Sequence, residues 1–182
     1  MSDRATVTAP RTRRRLVATF ATAFVAVALA GASGIVGAES QPPPDRILVV
    51  KSERKLYLMA GEEIVKTIDV VLGSEPVGPK VREGDLRTPE GTYFIESRNA
   101  DSDYFLSLKV SYPNAADRSR AHELGVNPGG QIMIHGLPNQ PKYEESRYPG
   151  WDWTDGCIAV SNSDMVDLWL MTDVSMPIEI RP

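Results

Sequence analysis

The chain of 182 residues contains a single cysteine, Cys157, and this scarcity excludes several kinds of protein. One cysteine cannot form an intramolecular disulfide, so the sequence does not encode a disulfide-stapled secreted fold. With no cysteine near the amino terminus, a lipid-modified N-terminal cysteine is excluded as well. An unpaired cysteine is either a small buried hydrophobic residue or a reactive thiol, and its neighbours decide between the two.

Histidine is almost as scarce, because the chain holds only His122 and His135. No two of the cysteine and histidine residues have the close spacing of a zinc site, so we expect no metal and no cofactor. His122 lies in a polar stretch and is expected at the surface. His135 ends a short apolar run before a glycine. It is either an ordinary hydrogen-bonded histidine or a base held rigidly at a strand end.

Basic charge is sparse outside the first 38 residues. The remainder carries 15 of the 20 Lys and Arg residues and 23 of the 24 Asp and Glu residues, a net charge of −8. Binding nucleic acid requires a basic face, so nucleic acid is excluded as the partner.

Residues 1–38 have the pattern of an export signal. A cluster of arginines precedes an apolar stretch at residues 16–38, and small residues suited to cleavage lie at residues 30–32 and 36–38. A basic segment, an apolar segment and small residues form a secretory signal peptide, but 23 residues also suffice for an uncleaved membrane anchor. Both alternatives place the remainder outside the cytoplasm, in the periplasm or cell envelope.

Beyond this leader the sequence predicts one mainly β domain with short helices, β-sandwich-like, with one helix near its C-terminal end. Residues 39–45 form a proline-rich linker, and residues 46–182 have the length of a single domain. A helix is predicted at residues 161–171, where Ser161 and Asp164 resemble a capping box, and a shorter one around residues 115–121. β-branched runs between turn residues predict strands at residues 46–51, 55–60, 63–72, 92–97, 105–110, 131–134 and 176–181. The long irregular segment at residues 137–153 is typical of a functional loop.

The run Thr154-Asp155-Gly156-Cys157 carries the chemistry. A glycine before the cysteine lets the backbone turn sharply and lets a substrate approach both the thiol and the neighbouring N–H groups. Because cysteine attacks as a thiolate, it needs a partner that removes its proton, and His135 is the better placed imidazole.

The paired motifs Ile134-His135-Gly136 and Thr154-x-Gly156-Cys157 resemble those of the L,D-transpeptidase catalytic domain, or YkuD domain, of bacterial cell-wall enzymes. The run at residues 88–93 and the first two predicted strands are also similar to that family, so the resemblance extends from about residue 46 to 181. The chain departs from the family at Asp155, where many members have a second histidine, and at Ala159, where many have Arg or Asn. The gap from His135 to Cys157 is 22 positions, longer than in many relatives, which indicates a divergent subgroup with a Trp-Asp-Trp-Thr-x-Gly-Cys signature.

The resemblance implies acyl transfer on peptidoglycan stem peptides through a thioester. Cys157 would be the nucleophile and His135 the general acid and base. Gly156 and the Cys157 N–H would form the oxyanion hole, Thr154 would support the loop, and Asp155 would orient His135 or contact a substrate amine. Other candidate substrate contacts are Gly136, Trp151, Trp153 and, toward stem carboxylates, Lys80 and Arg87.

The acyl acceptor stays open between a stem amine, which gives 3→3 cross-links, a protein amine and water. Water as acceptor would make the protein a carboxypeptidase, and a hydrolase of the same fold that detaches proteins from the wall is another alternative. A non-catalytic wall-binding module, with Cys157 as a core residue, is the alternative from a different class.

Overall fold

The computed structural model describes residues 42–182, so the predicted leader and most of the predicted linker lie outside the described residues. Eight strands follow one another in a single hydrogen-bonded order, β3-β2-β1-β8-β4-β5-β6-β7. The strands and helices are β1 Arg46–Val50, β2 Lys55–Ala60, β3 Glu63–Asp69, β4 Gly91–Ser102, β5 Phe105–Val110, α1 Ala115–Glu123, β6 Met133–His135, β7 Ile158–Ala159, α2 Asn162–Met171 and β8 Pro177–Arg181. Two 3₁₀ segments, Lys51–Glu53 and Glu145–Gly150, complete the secondary structure.

The long strand β4 joins the two halves of the sheet. Its first residues, from Gly91 to Phe94, pair with β8, whereas its later residues pair with β5. Register shifts after Ile95 and Asn99 interrupt the pairing with β5, and such bulges bend a strand. Buried side chains from both halves and from α2 belong to one hydrophobic core. The expected β-sandwich-like domain is therefore one continuous sheet folded around a single core.

Two parallel pairings connect parts of the chain that are far apart in sequence. β1 pairs in parallel with β8, which joins the beginning of the domain to its end. β6 pairs in parallel with β7, so that Ile134 lies opposite Ile158 and His135 opposite Ala159. This second pairing brings the two predicted motifs together.

The predicted fold class is confirmed, and most predicted elements are present. β2 and β5 have the predicted bounds, and α2 begins after Ser161, whose hydroxyl accepts a hydrogen bond from the Asp164 N–H. β3 was predicted to reach residue 72 but ends at Asp69, because Val71 leaves the sheet edge and forms a bridge to Ala159. β7 was not predicted, since two residues are too short to show a period.

Candidate active site

Cys157 and His135 come together because β6 and β7 are neighbours. Side chains of laterally paired residues in a sheet point to the same face, and the face alternates along each strand. His135 is paired with Ala159, and Cys157 precedes Ala159 by two residues, which places it on the same face. Both side chains line one cleft of about 370 Å³. The structure thus brings together the two residues that the sequence predicted as a pair.

His135 is held in one orientation and one tautomer by its own loop. Its side chain is buried, with 4% of its surface exposed, and its Nδ1 lies 2.7 Å from the Gly136 carbonyl oxygen. A carbonyl only accepts, so Nδ1 carries the proton and Nε2 is left to accept one. The Tyr104 ring lies 4.5 Å and the Trp153 ring 5.8 Å from the imidazole, centroid to centroid. Burial lowers the pKa of His135, only partly offset by the Gly136 carbonyl, so the imidazole is neutral at pH 7.

Cys157 is partly buried, and its thiol is hydrogen-bonded to the strand beside it. Its Sγ lies 3.4 Å from the Met133 N–H, which donates to it, and 3.6 Å from the Gln131 carbonyl, to which the thiol donates. Burial raises the pKa of the Cys157 thiol, the Met133 N–H lowers it, and the charge of Asp155 raises it again, with a net upward shift. The resting pair therefore consists of a neutral thiol and a neutral imidazole. In the described part of the chain, the Cys157 thiol and the His135 imidazole are not directly hydrogen-bonded to each other.

Gln131 is a feature of the site that the sequence did not reveal. It is exposed, lines the cleft, and has a φ of 57°, a left-handed conformation that costs a non-glycine residue about 1–2 kcal/mol. This conformation accompanies the placement of its carbonyl oxygen beside the Cys157 thiol. Strained backbone of this kind clusters at functional sites.

Thr154 supports the turn that carries Cys157. Its hydroxyl accepts a hydrogen bond from the Gly156 N–H at 3.2 Å and donates one to the Cys157 carbonyl at 2.7 Å. Because the Gly156 N–H is bonded in this way, its predicted contribution to an oxyanion hole does not fit the structure. The Cys157 N–H has no acceptor among the described residues.

Only glycine fits at position 156, because of both the backbone conformation and the close approach of a neighbouring loop. Its φ is +126°, and a Cβ at this position would lie 2.6 Å from the Arg87 carbonyl oxygen. The loop between β3 and β4 therefore packs directly on the turn before the nucleophile.

A buried ion pair fixes the loop between β3 and β4. Lys80 Nζ lies 2.7 Å from Asp85 Oδ1, and both side chains are largely buried. The expectation that Lys80 meets a stem carboxylate does not fit this placement, because Asp85 already occupies its ammonium group. Burial alone would raise the pKa of Asp85, but N–H donors from Arg82 and Val81 and the Lys80 ammonium lower it to about 2. Arg87 is absent from the cleft lining.

Asp155 lies in the cleft but does not orient His135. It is exposed, and the Nδ1 atom of His135, which an orienting carboxylate could contact, is bonded to the Gly136 carbonyl instead. Asp101 and Asp103 also line the cleft, whereas no lysine or arginine among the described residues does. The cleft is therefore negatively charged and favours a cationic group.

Of the three other residues predicted to contact substrate, Gly136, Trp151 and Trp153, only Trp153 lines the cleft. Gly136 is buried, and a Cβ there would lie 2.5 Å from Asn162 Oδ1, so it serves packing rather than substrate contact. Trp151 is half exposed outside the catalytic cleft, whereas Trp153 lines it, with its Nε1 lacking an acceptor among the described residues. His122 is exposed near the end of α1, as predicted.

Asp152 anchors the segment of residues 151–157, and the sequence did not predict this role. Its carboxylate accepts hydrogen bonds from the Arg54 guanidinium at 2.7–3.1 Å and from the Leu72 N–H at 2.9 Å. Arg54 has a φ of 54° at the end of the first 3₁₀ segment. This contact ties the loop before Cys157 to the region around β2.

Within residues 42–182, no group of three or more His, Cys, Asp or Glu side chains is arranged to hold a metal ion. None of the helices in these residues has the length and apolar character needed to span a membrane.

The chain is similar to several known proteins. The chain is 34% identical over 99 residues to "Putative L,D-transpeptidase YafK" of Escherichia coli (strain K12), covering 51% of this chain and 38% of YafK. The crystal structure of the helical cell shape determining protein Pgp2 from Campylobacter jejuni is similar with a TM-score of 0.58 and 24% identity, over 77% of this chain and 48% of Pgp2. Bd1075 of Bdellovibrio bacteriovorus is similar with a TM-score of 0.50 and 26% identity, over 78% of this chain and 49% of Bd1075.

These relatives are longer than the region they share with this chain, which spans about half or less of each. Residues 44–180 match the YkuD family, described as the L,D-transpeptidase catalytic domain, over nearly the whole of the described structure. The chain therefore belongs to the YkuD family of L,D-transpeptidase catalytic domains.

Proposed function

We propose that this chain is a cysteine-dependent acyltransferase acting on peptidoglycan tetrapeptide stems, with Cys157 as nucleophile and His135 as general acid and base. The observation that carries the proposal is the pairing of β6 with β7, which places both side chains in one cleft. Family membership supports the reaction class and the stem peptide as substrate.

The first step transfers the thiol proton and forms the carbon–sulfur bond. Nε2 of His135 takes the proton as Cys157 Sγ attacks the carbonyl between the third stem residue and the terminal D-alanine. Because the unliganded thiol donates to the Gln131 carbonyl, its S–H must rotate away when the substrate enters. Hydrogen bonds in unliganded active sites often reorganise in this way on binding.

The second step expels D-alanine. The Cys157 N–H is the donor proposed to stabilise the oxyanion, since the Gly156 N–H is already bonded to Thr154. Protonated His135 gives its proton to the leaving amine, and the carbon–nitrogen bond breaks to leave a thioester on Cys157. An acceptor then attacks the thioester and regenerates the thiol.

The negative charge of the cleft supports a cationic group on the substrate. Asp101, Asp103 and Asp155 line it, and the charge of Asp155 acts on the Cys157 thiol. We propose that Asp155 contacts the side-chain amine of a stem peptide. Asp155→Asn should raise the KM for stems with a free amine but not for stems with an acetylated amine, and an equal effect on both would remove Asp155 from this role.

The acceptor distinguishes the alternatives within this reaction class. A stem amine gives a 3→3 cross-link, a protein amine gives wall attachment, and water gives carboxypeptidase activity. Incubation with purified muropeptides, followed by mass spectrometry of the products, separates cross-linked dimers from trimmed tripeptides.

A carbapenem tests the nucleophile directly. The wild-type chain should gain the mass of one ring-opened carbapenem on the peptide containing Cys157, and His135→Ala should form this adduct far more slowly. A folded wild-type chain that gains no adduct would favour the non-catalytic wall-binding module.

We further propose that residues 1–38 export the chain to the periplasm or cell envelope, either as a cleaved signal or as a membrane anchor, with residues 39–45 as the linker. Amino-terminal sequencing of the protein from a membrane fraction and from a soluble envelope fraction distinguishes the two. Retention of the chain in the cytoplasm would contradict both.

A further inference from the structure

Beside the catalytic cleft lies a second groove of about 310 Å³ whose walls are mostly aromatic. We call it the aromatic groove, and it is lined by Tyr104, Pro138, Gln140, Lys142, Tyr143, Tyr148, Trp151 and Trp153. Tyr104, Tyr143 and Trp151 have 40%, 47% and 50% of their surface exposed. The proposed reaction assigns these exposed rings no role.

The rings are held by one another in a connected series. Trp153 and Tyr148 are 5.2 Å apart, Tyr148 and Tyr143 are 6.1 Å apart, and Tyr143 and Trp151 are 6.5 Å apart, centroid to centroid. All three pairs meet edge to face, a favourable arrangement for aromatic pairs. Fixed rings lose little conformational entropy when a ligand binds, so the groove is preorganised.

The aromatic groove continues the catalytic cleft. Tyr104 and Trp153 line both, and both rings contact the His135 imidazole. A molecule bound in the cleft therefore meets the groove at Tyr104 and Trp153.

The composition of the groove fits a sugar better than a peptide. Sugar rings combine apolar C–H faces with hydroxyl and amide edges, and rigid aromatic rings with a few polar neighbours match both. Gln140 and Lys142 supply the polar groups, and the only aliphatic side chain in the lining is Pro138. A groove for an apolar peptide would instead present aliphatic pockets to its side chains.

The structure of peptidoglycan suggests what would occupy the groove beside a bound stem. The stem is joined to an N-acetylated amino sugar at its amino-terminal end, and three extended residues span about 10 Å. A stem whose third residue lies at Cys157 therefore carries its sugar about this far from the thiol, and the groove adjoins the cleft at Tyr104 and Trp153.

We infer that the aromatic groove binds the N-acetylated amino sugars of the glycan strand that carries the stem peptide. The inference rests on the proposed function for the identity of the substrate. It goes beyond that function by adding a second binding site that recognises sugar and lies outside the reacting cleft.

Binding to a tetramer of N-acetylglucosamine tests the groove without catalysis. Isothermal titration calorimetry of the full chain with Cys157→Ala should detect the tetramer. Adding Tyr143→Ala and Trp151→Ala should weaken binding about tenfold or more, because two stacking faces are lost. Phe94→Ala is the matched control, since Phe94 is 47% exposed and lines a different groove. No binding, or equal binding by the Tyr143 and Trp151 variant, would overturn the inference.

Turnover separates this inference from the proposed function. With Cys157 intact, the Tyr143→Ala and Trp151→Ala variant should raise the KM for a disaccharide tetrapeptide and leave that for a sugar-free tetrapeptide unchanged. An equal rise for both substrates would assign the groove to peptide and overturn the inference. If neither substrate reacts with the wild-type chain, the proposed function fails, while the tetramer titration still decides the groove.

Discussion

At the scale of single residues, the unliganded pair is uncharged. The sequence indicated His135 as the partner that removes the Cys157 proton, and the burial of both groups opposes that transfer in the resting state. Burial raises the pKa of the thiol and lowers that of His135, so neither carries charge at pH 7. In the proposed reaction His135 would therefore act as a base during attack, because the resting site holds no thiolate beside an imidazolium.

The charge state of the pair predicts the pH dependence of alkylation. Only the thiolate reacts, so the rate of Cys157 alkylation by iodoacetamide should rise with pH and level off above the ordinary cysteine value of about 8.5. The Cys157→Ala variant gives the background rate. The lowered pKa of His135 also places the acid limb of acyl transfer below about pH 6.5, where the imidazole becomes protonated. An alkylation plateau already reached at pH 7 would show a stored thiolate and contradict this account.

Gly156 gives the sharpest prediction from backbone geometry. Gly156→Ala places a methyl group 2.6 Å from the Arg87 carbonyl oxygen and forces a positive φ on alanine, so unfolding free energy should fall by about 2–3 kcal/mol. D-alanine release should fall further, because the turn that positions Cys157 must shift. Gly130→Ala is the control, because its added Cβ meets nothing within 4 Å. Chemical denaturation of both variants checks the difference, and equal stability would contradict the predicted clash.

At the scale of elements, the site depends on segments that lack secondary structure of their own. The loop between β3 and β4 packs on Gly156 through Arg87, and Val71 forms a bridge to Ala159 on the side of β7 away from β6. The turn that carries Cys157 is therefore held between a strand and a loop. The Lys80–Asp85 pair fixes that loop from within.

The ion pair in this loop predicts a pH-dependent loss of stability. The pKa of Asp85 is lowered to about 2, so its stabilising contribution is present above about pH 4 and is lost as pH falls toward 2. Asp85→Asn should lower the unfolding free energy at pH 7 by about 2 kcal/mol or more, because it also leaves the Lys80 ammonium unpaired. Asp173→Asn is the control, since that carboxylate is almost fully exposed. In urea denaturation, the unfolding free energies of the two variants should become equal near pH 2. A constant difference between them from pH 7 to pH 2 would contradict the assignment of the pH dependence to Asp85.

Local patterns in the sequence predicted the elements that have a local signal. β2 and β5 are apolar runs bounded by turn residues, and the Ser161 cap marks the start of α2, so their bounds were predictable. β7 was not predictable, because its two residues exist as a strand only through β6. The left-handed Gln131 and the Arg54–Asp152 contact depend on distant partners in the same way.

The same division applies to the site. Cys157 and His135 were predictable because each lies beside a glycine in a short motif that is recognisable from the sequence alone. The tautomer of His135, the bonded N–H of Gly156 and the burial of Lys80 follow from contacts across the fold. Trp151 and Trp153 are two positions apart, yet only Trp153 lines the catalytic cleft.

At the scale of the whole molecule, the described domain combines a family fold with a negatively charged cleft. Residues 44–180 match the family over nearly the full domain, and one core holds both halves of the sheet in a fixed relation. Of the two departures from the family pattern, Asp155 lines the cleft with Cys157 and His135 and adds to its negative charge, whereas Ala159 is not part of the lining. Substrate and acceptor preference are therefore the properties in which this chain should differ most from other family members.

Release of D-alanine from a purified disaccharide tetrapeptide tests the central claim most directly. The wild-type chain should release one D-alanine for each donor stem that acylates Cys157. Cys157→Ala should release none, while its thermal unfolding transition stays close to that of the wild type. Undiminished release by the folded Cys157→Ala variant would contradict the assignment of Cys157 as the nucleophile.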